Sequence, residues 1–153
     1  AIVPQVFNPP WGTVRNYMCK IIGKFSHIRN AEKRMDEISR KMNLTHLLNR
    51  KMKSLTPGEI RWVVLSTMIG ADSKVLFIDE IELHLGKKDQ KTMLSILHRK
   101  INYDGVTVIT STQNKELLSR IASVTITLEN GRITSVRSSG KKKYKISNNR
   151  RKR

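Results

Sequence analysis

Two adjacent carboxylates, Asp79 and Glu80, close the run Val75-Leu76-Phe77-Ile78-Asp79-Glu80, directly after four apolar residues. Such a pair can hold a Mg²⁺ ion and position a water against a phosphate, the two tasks that phosphoryl transfer sets a protein. The four apolar residues read as a strand buried on both faces of a parallel sheet. In open α/β sheets ligands sit just beyond the carboxyl ends of such strands. The same hexapeptide also suits a core strand running into a solvated turn, so its neighbours must decide.

Those neighbours supply a strand–helix–strand frame. Leu55-Thr56-Pro57-Gly58-Glu59 reads as a turn opening a helix: Pro presets a first helical turn, Gly lets backbone approach a ligand, and Glu59 favours a helix N-terminus. The helix is expected from about Glu59 to Ala71, with Ile60, Val63, Val64, Thr67 and Met68 at helical spacing. A second helix is expected from about Lys87 to Ile101, carrying Met93, Leu94, Ile96, Leu97 and Ile101. Asp104-Gly105 then turns the chain into an apolar run, Val106 to Thr110, that ends in Ser111-Thr112-Gln113. A crossover of this kind makes the two strands parallel and right-handed.

In this order the segments resemble the ATP-binding-cassette (ABC) ATPase family over nearly the whole chain except its tail. Ile2-Val3-Pro4-Gln5 looks like the end of the strand that delivers the Q-loop glutamine. Thr13 to Met18 is similar to the start of the family's helical subdomain. Ala31 to Leu48 reads as its amphipathic helices, ending in Leu44-Thr45-His46-Leu47-Leu48. Leu55-Thr56-Pro57-Gly58-Glu59 resembles the signature motif, Asp79 the Walker B aspartate and Glu80 the catalytic glutamate. Gln113 falls where the switch histidine is expected, and Val124 to Val136, with its Asn130-Gly131 turn, resembles the final hairpin.

The resemblance implies an α/β fold: a partial P-loop-NTPase-like, mostly parallel sheet with flanking helices, a small all-α subdomain and a C-terminal β-hairpin. The segments would be 1–12 (Q-loop strand and loop), 13–54 (helical subdomain), 55–136 (signature and Walker B core) and 137–153 (a basic, disordered tail). It implies ATP and Mg²⁺ as cofactors, Asp79 and Gln5 meeting Mg²⁺ through the nucleotide, and Glu80 orienting or deprotonating water, with Gln113 touching the γ-phosphate weakly. Leu55 to Glu59, chiefly Thr56 and Gly58 at a helix N-terminus, would face ATP held by a second cassette in a head-to-tail dimer.

Departures from the family pattern are equally informative. No Gly-x-x-x-x-Gly-Lys-Ser/Thr loop occurs; among 8 glycines, Gly12, Gly23 and Gly70 lack the spacing. The chain therefore reads as the C-terminal portion of a cassette, an ATPase only when a segment or partner bearing that loop completes it. Gln113 cannot carry a proton as imidazole does. Pro57 removes one N–H donor, and Glu82-Leu83-His84-Leu85-Gly86 lacks the usual D-loop aspartate. That stretch is closer to ATPases of the recombination-repair and overcoming-lysogenisation group, where Glu-Leu-His-Leu follows the catalytic acid.

Charge widens the choice of partner. The 153 residues hold 30 Lys plus Arg against 12 acids, a net +18. Nine of those bases and no acid fall in Arg137 to Arg153; the residues before them hold the other 21 bases and all 12 acids, a net +9. Such a tail suits nucleic acid or an anionic membrane face; a purely solubilising role is the plain alternative. Two functions follow: a cassette energising a transporter through a transmembrane subunit, or an ATPase-like module acting on nucleic acid or ribonucleoprotein. The helical subdomain favours the first, with a cytoplasmic location at the inner face of a membrane.

Other features bound the fold. An apolar share of 38% is low for a self-sufficient globule, and absent N-terminal strands would leave an unpaired sheet edge. No run reaches the roughly 18–20 apolar residues of a membrane helix. A single cysteine, Cys19, excludes an internal disulfide and reads as a small core residue. His27, His46, His84 and His98 are not spaced as a metal cluster. The six methionines (Met18, Met35, Met42, Met52, Met68, Met93) read as core filler, and the bases from Lys20 to Lys41 as a solvated helix face. Pro9-Pro10-Trp11 suits a docking loop or a cap on the helical subdomain.

Overall fold

The computed structural model describes residues 1–139; the basic tail expected over Arg137 to Arg153 falls, from Gly140 on, outside the described residues. The chain forms two compact units, Ala1–Lys115 and the segment from Glu116 on.

In the first unit three short strands, β1 (Ile2–Val3), β2 (Val75–Ile78) and β3 (Thr107–Thr110), make an all-parallel sheet in the order β1-β2-β3. Val3 pairs with Ile78 and Ile78 with Thr110, so the three strands end level. Pairing to β3 starts at Thr107, one residue later than the apolar run suggested.

Burial on β2 alternates, contrary to the expectation of a strand covered on both faces. Leu76 and Ile78 are buried, whereas Val75 is partly open and Phe77 is 43% exposed. Phe77 lies between Ile2 and Ile109 in the register, and Ile109 is 51% exposed. One face of the sheet thus carries an apolar row that nothing in this unit covers. An apolar run reports what the strand is suited to; how much is covered depends on what packs there.

Helix α3 (Pro57–Gly70) is the core of the unit. It begins at Pro57, two residues before the expected start, because Thr56 is a complete capping box with Glu59: the Thr56 hydroxyl accepts from Glu59 N, and the Glu59 carboxylate accepts from Thr56 N at 2.8 Å. Rather than showing one apolar stripe, α3 is buried on all sides from Arg61 to Thr67, as a helix enclosed by others must be. Helices α1 (Val14–Ile22) and α2 (Ala31–Lys41) pack on it through Met18, Ile22, Met35 and Ile38. Gly70 lets them approach: a Cβ there would meet Ile38 Cγ2 at 3.1 Å. Trp62 is buried and its Nε1 donates to Met42 O at 2.8 Å, tying α3 to the end of α2.

The expected helices over Ala31 to Leu48 are shorter than drawn. The chain leaves α2 at Lys41, Asn43 takes a positive φ of 52°, and only a 3₁₀ turn forms at Thr45–Leu47. Five of the six methionines are buried; Met68 is half-buried. Cys19 is half-buried on α1, so it is not the core residue expected. Arg34 likewise departs from a solvated face: its Nε donates to Gly70 O at 2.9 Å, and it pairs with Glu37 and Asp72. Trp11 is 85% exposed with Lys53 Nζ 3.4 Å from its ring centroid, so the ring does not cap the subdomain.

Helix α4 (Lys87–Tyr103) makes the crossover, burying Met93 and Leu97 while Leu94, Ile96 and Ile101 are half-buried. After a single turn, α5 (Lys115–Leu118), the second unit holds the antiparallel hairpin β4 (Val124–Glu129) and β5 (Arg132–Ser138). Asn130 and Gly131 both have positive φ, at 49° and 73°, as a two-residue hairpin turn requires.

Candidate functional site

The level strand ends bring the sequence-chosen residues to one edge of the first unit. Asp79 follows β2 directly, and its N–H donates to Val3 O at 3.0 Å, joining it to β1 two residues before Gln5. Ser111 follows β3 and serves both acids: its hydroxyl donates to Asp79 Oδ1 at 2.6 Å and accepts from Glu80 N at 2.7 Å. Gln113 Nε2 donates to Glu80 Oε1 at 3.2 Å. Asp79 is exposed and Glu80 half-buried, so both carboxylates can be reached from solvent. Glu80 has a φ of +44°, a left-handed conformation that costs a residue with a side chain about 1–2 kcal/mol. It persists only because groups on both sides of the peptide hold it.

Glu82 anchors the loop after the acids. Its Oε1 accepts from Thr112 Oγ1 and Gln113 N, both at 2.8 Å, and from Asn114 N at 3.2 Å, while its Oε2 is buried without a hydrogen bond. Burial pushes this carboxyl up, but the Thr112 hydroxyl and the Gln113 and Asn114 N–H groups outweigh it and hold it below its ordinary value. A depressed carboxyl adds stability above its unfolded pKa, about 4.3 for Glu, and loses it as pH falls through the folded value. We expect the thermal midpoint to fall less steeply on acidification from pH 6 to pH 3 in Glu82→Gln than in the parent. Equal slopes in the two melting series would remove Glu82 from the pH response.

The signature-like turn lies beside this loop. A Cβ on Gly58 would meet His84 O at 2.9 Å, so the glycine is needed for packing inside the chain, whatever it does for a ligand. His84 itself has a φ of +58°. Thr56 and Pro57 are exposed, Gly58 and Glu59 half-buried and Leu55 buried, which leaves the turn open to another molecule. The capping box already uses the N–H groups of Thr56 and Glu59, and Pro57 has none. Arg50 Nη1 donates to Glu59 Oε1 at 2.7 Å. The Thr56 N–H bond first, then the Thr56 hydroxyl and the Arg50 charge, hold Glu59 below the usual carboxylate range against a smaller opposing effect of burial.

Arg61, which sequence reasoning passed over, connects the two halves of the site. It lies one turn into α3, is 5% exposed, and donates to Pro4 O at 2.5 Å, Glu80 O at 2.9 Å and Asp79 O. Burial lowers its pKa, while Asp79, Glu80 and Glu82 oppose that; a guanidinium stays charged regardless. A base set among Ile60, Trp62, Val63 and Val64 was the signal available for it. Ser111 and Glu82 gave weaker ones, being ordinary loop residues until the strands are aligned. A cleft of ≈ 280 Å³ runs between the Gln5 loop and α3, with Phe7, Pro57, Arg61 and His84 on its walls.

Comparison with known proteins bears on the fold. No protein-family model matches the chain. The cell division ATP-binding protein FtsE of Streptococcus pneumoniae (strain D39) is 27% identical over 128 residues, covering 84% of this chain and 54% of the relative. The molybdate import ATP-binding protein MolC of Haemophilus influenzae is 26% identical over 134 residues, covering 82% and 52%. Two dimeric structures of MJ0796, a bacterial ABC transporter cassette, one of them a post-hydrolysis state bound to ADP and Pi, superpose with a TM-score of 0.78 at 21% identity. They cover 90% of this chain, which accounts for 61% of theirs. The chain spans about half the length of the curated relatives it matches.

Proposed function

We infer that this chain, part of the nucleotide-binding domain of an ABC-type ATPase, binds and hydrolyses ATP together with a phosphate-loop-bearing segment and a second cassette, and so energises a membrane transporter. The observation that carries the reading is the convergence of Asp79, Glu80 and Gln113 at level strand ends, with Gln5 two residues beyond the end of β1, one buried arginine away from an exposed signature-like turn. The uncovered row Ile2, Phe77 and Ile109 supports a further segment packing on the sheet, since an apolar face of this kind is stable only against another layer.

The residues fit Mg²⁺ and ATP. Mg²⁺ keeps one or two carboxylates beside phosphate oxygens, and Asp79 offers an exposed carboxylate of which Ser111 engages one oxygen. When bound, the metal would neutralise phosphate charge. Asp79 would hold it, with Gln5 alongside sensing metal and γ-phosphate. Glu80 would accept a hydrogen bond from the attacking water and draw off its proton. Gln113 keeps the Glu80 carboxylate in place from one side and would reach the γ-phosphate as a neutral donor. Thr56 and Gly58, with Leu55, Pro57 and Glu59 shaping the turn, would meet ATP held by the second cassette, whose phosphate would compete with the Glu59 carboxylate for this helix end.

The relatives named above are transporter and cell-division ATP-binding proteins, and they lend no support to the nucleic-acid alternative. No helix among the described residues is long and apolar enough to cross a membrane; attachment at the inner face would come from a transmembrane subunit.

The test is reconstitution. The chain alone should show ATP turnover indistinguishable from background, and turnover should arise when a phosphate-loop-bearing segment of such a cassette is joined to it or mixed with it. Turnover by the isolated chain that Glu80→Gln abolishes would overturn the need for completion; a completed assembly that binds nucleotide yet never hydrolyses it would overturn the activity.

A further inference from the structure

We propose that Arg61 is a positioning residue that holds Glu80 in its left-handed conformation and links it, with the Pro4–Gln5 turn, to the first turn of α3; this rests on reading Glu80 as the residue that orients water.

The guanidinium donates to three backbone carbonyls, those of Pro4, Asp79 and Glu80, and among the described residues to no carboxylate. Those carbonyls belong to the chain just after β1 and just after β2, so one side chain joins two strand ends to a helix. Only a planar fork with several fixed donors can span such a set; an ammonium is a single point. Its Nε is buried without an acceptor, so the placement of the fork follows the carbonyls at the cost of its own saturation. If the position served packing alone, an apolar side chain of similar length would do as well, since buried charges seldom outperform apolar replacements in stability. What an apolar replacement could not do is hold Glu80. The N–H of Glu80 is fixed by Ser111 and its C=O by Arg61 and Leu83 N, so the strained φ is clamped from both ends. Arg61 stands two residues beyond the Thr56–Glu59 cap, the part of α3 open to a second molecule. A shift of that turn moves the fork, and with it the carbonyls beside Gln5 and the acids.

Amide hydrogen exchange in the full chain tests the link without requiring hydrolysis. Glu80 N and Ile81 N both donate to Ser111 and give protected probes. Glu59→Ala, which opens the cap, should speed exchange at Glu80 and Ile81 by about tenfold in the parent and by less than about twofold in Arg61→Met, because coupling between sites appears as non-additivity. Arg61→Lys, which keeps the charge but not the fork, should lose the coupling in the same way and serves if the methionine variant does not fold. Equal acceleration in parent and Arg61 variants, or none in the parent, overturns the proposal. Coupled amides alongside a completed assembly without turnover would sink the catalytic reading and leave the linkage; turnover with uncoupled amides would sink the linkage alone.

Discussion

Glu80→Gln in a completed assembly is expected to lower ATP turnover by about 10²–10⁴-fold, the range by which a positioned general base accelerates proton transfer. The substitution keeps the size and shape of the side chain and replaces a carboxylate oxygen with an amide that donates. The Glu80 N–H bond to Ser111 and the C=O bond to Arg61 involve backbone atoms and survive. The loss should therefore appear in kcat with little change in KM, as for an interaction made only in the transition state. Asp79→Asn should act differently, raising the Mg²⁺ requirement. Gln113→Ala removes a neighbour 3.2 Å from Glu80 Oε1, and its effect should be much the smaller. A loss below about threefold for Glu80→Gln would place water activation elsewhere, since such a factor is far less than a positioned base supplies.

Trp62→Ala is the substitution expected to cost the fold most, about 3–5 kcal/mol, the range for deleting a large buried aromatic. Trp62 is almost fully buried on the helix around which the unit packs, and its indole N–H is bonded to Met42 O. Truncation therefore opens a cavity and also leaves a buried carbonyl unsatisfied, which by itself costs about 1–3 kcal/mol. Trp62→Phe separates the two contributions, because it restores most of the volume and none of the donor. Urea unfolding of the three proteins measures both. If Trp62→Ala shifts stability by less than about 1.5 kcal/mol, below the range for such truncations, α3 is not the centre of the core. The two substitutions address different links, one the chemistry at the strand ends and the other the frame that keeps those ends level.

Much of the frame was legible in the chain. The order of strand, helix and strand, the Asn130-Gly131 turn and the helix opened by the Leu55 to Glu59 turn all rest on local chemistry, and each is present. Asp79 and Glu80 could be named because two acids closing an apolar run are conspicuous, whereas Gln5 and Gln113 were named only through the family resemblance. What misled was burial. Val75 to Ile78 looks the same whether one face or two are covered, and Ile60 to Ile69 looks amphipathic until α1 and α2 enclose it. Boundaries moved where a single residue took an unusual conformation, as Asn43 did in stopping the chain from continuing α2.

The sequence by itself determined which side chains could handle a phosphate and a metal, and in what order they follow along the chain, because residue type and spacing are local properties. Only the tertiary structure decided that Ser111 serves both acids, that Glu82 ties the loop after the acids to the one after β3, and that Arg61 grips three carbonyls. These groups lie 18 to 57 positions apart along the chain where Arg61 is concerned, and their meeting depends on strand register and on the burial of α3. No local pattern encodes such a meeting; it exists once the strands end level and the helix is packed beneath them.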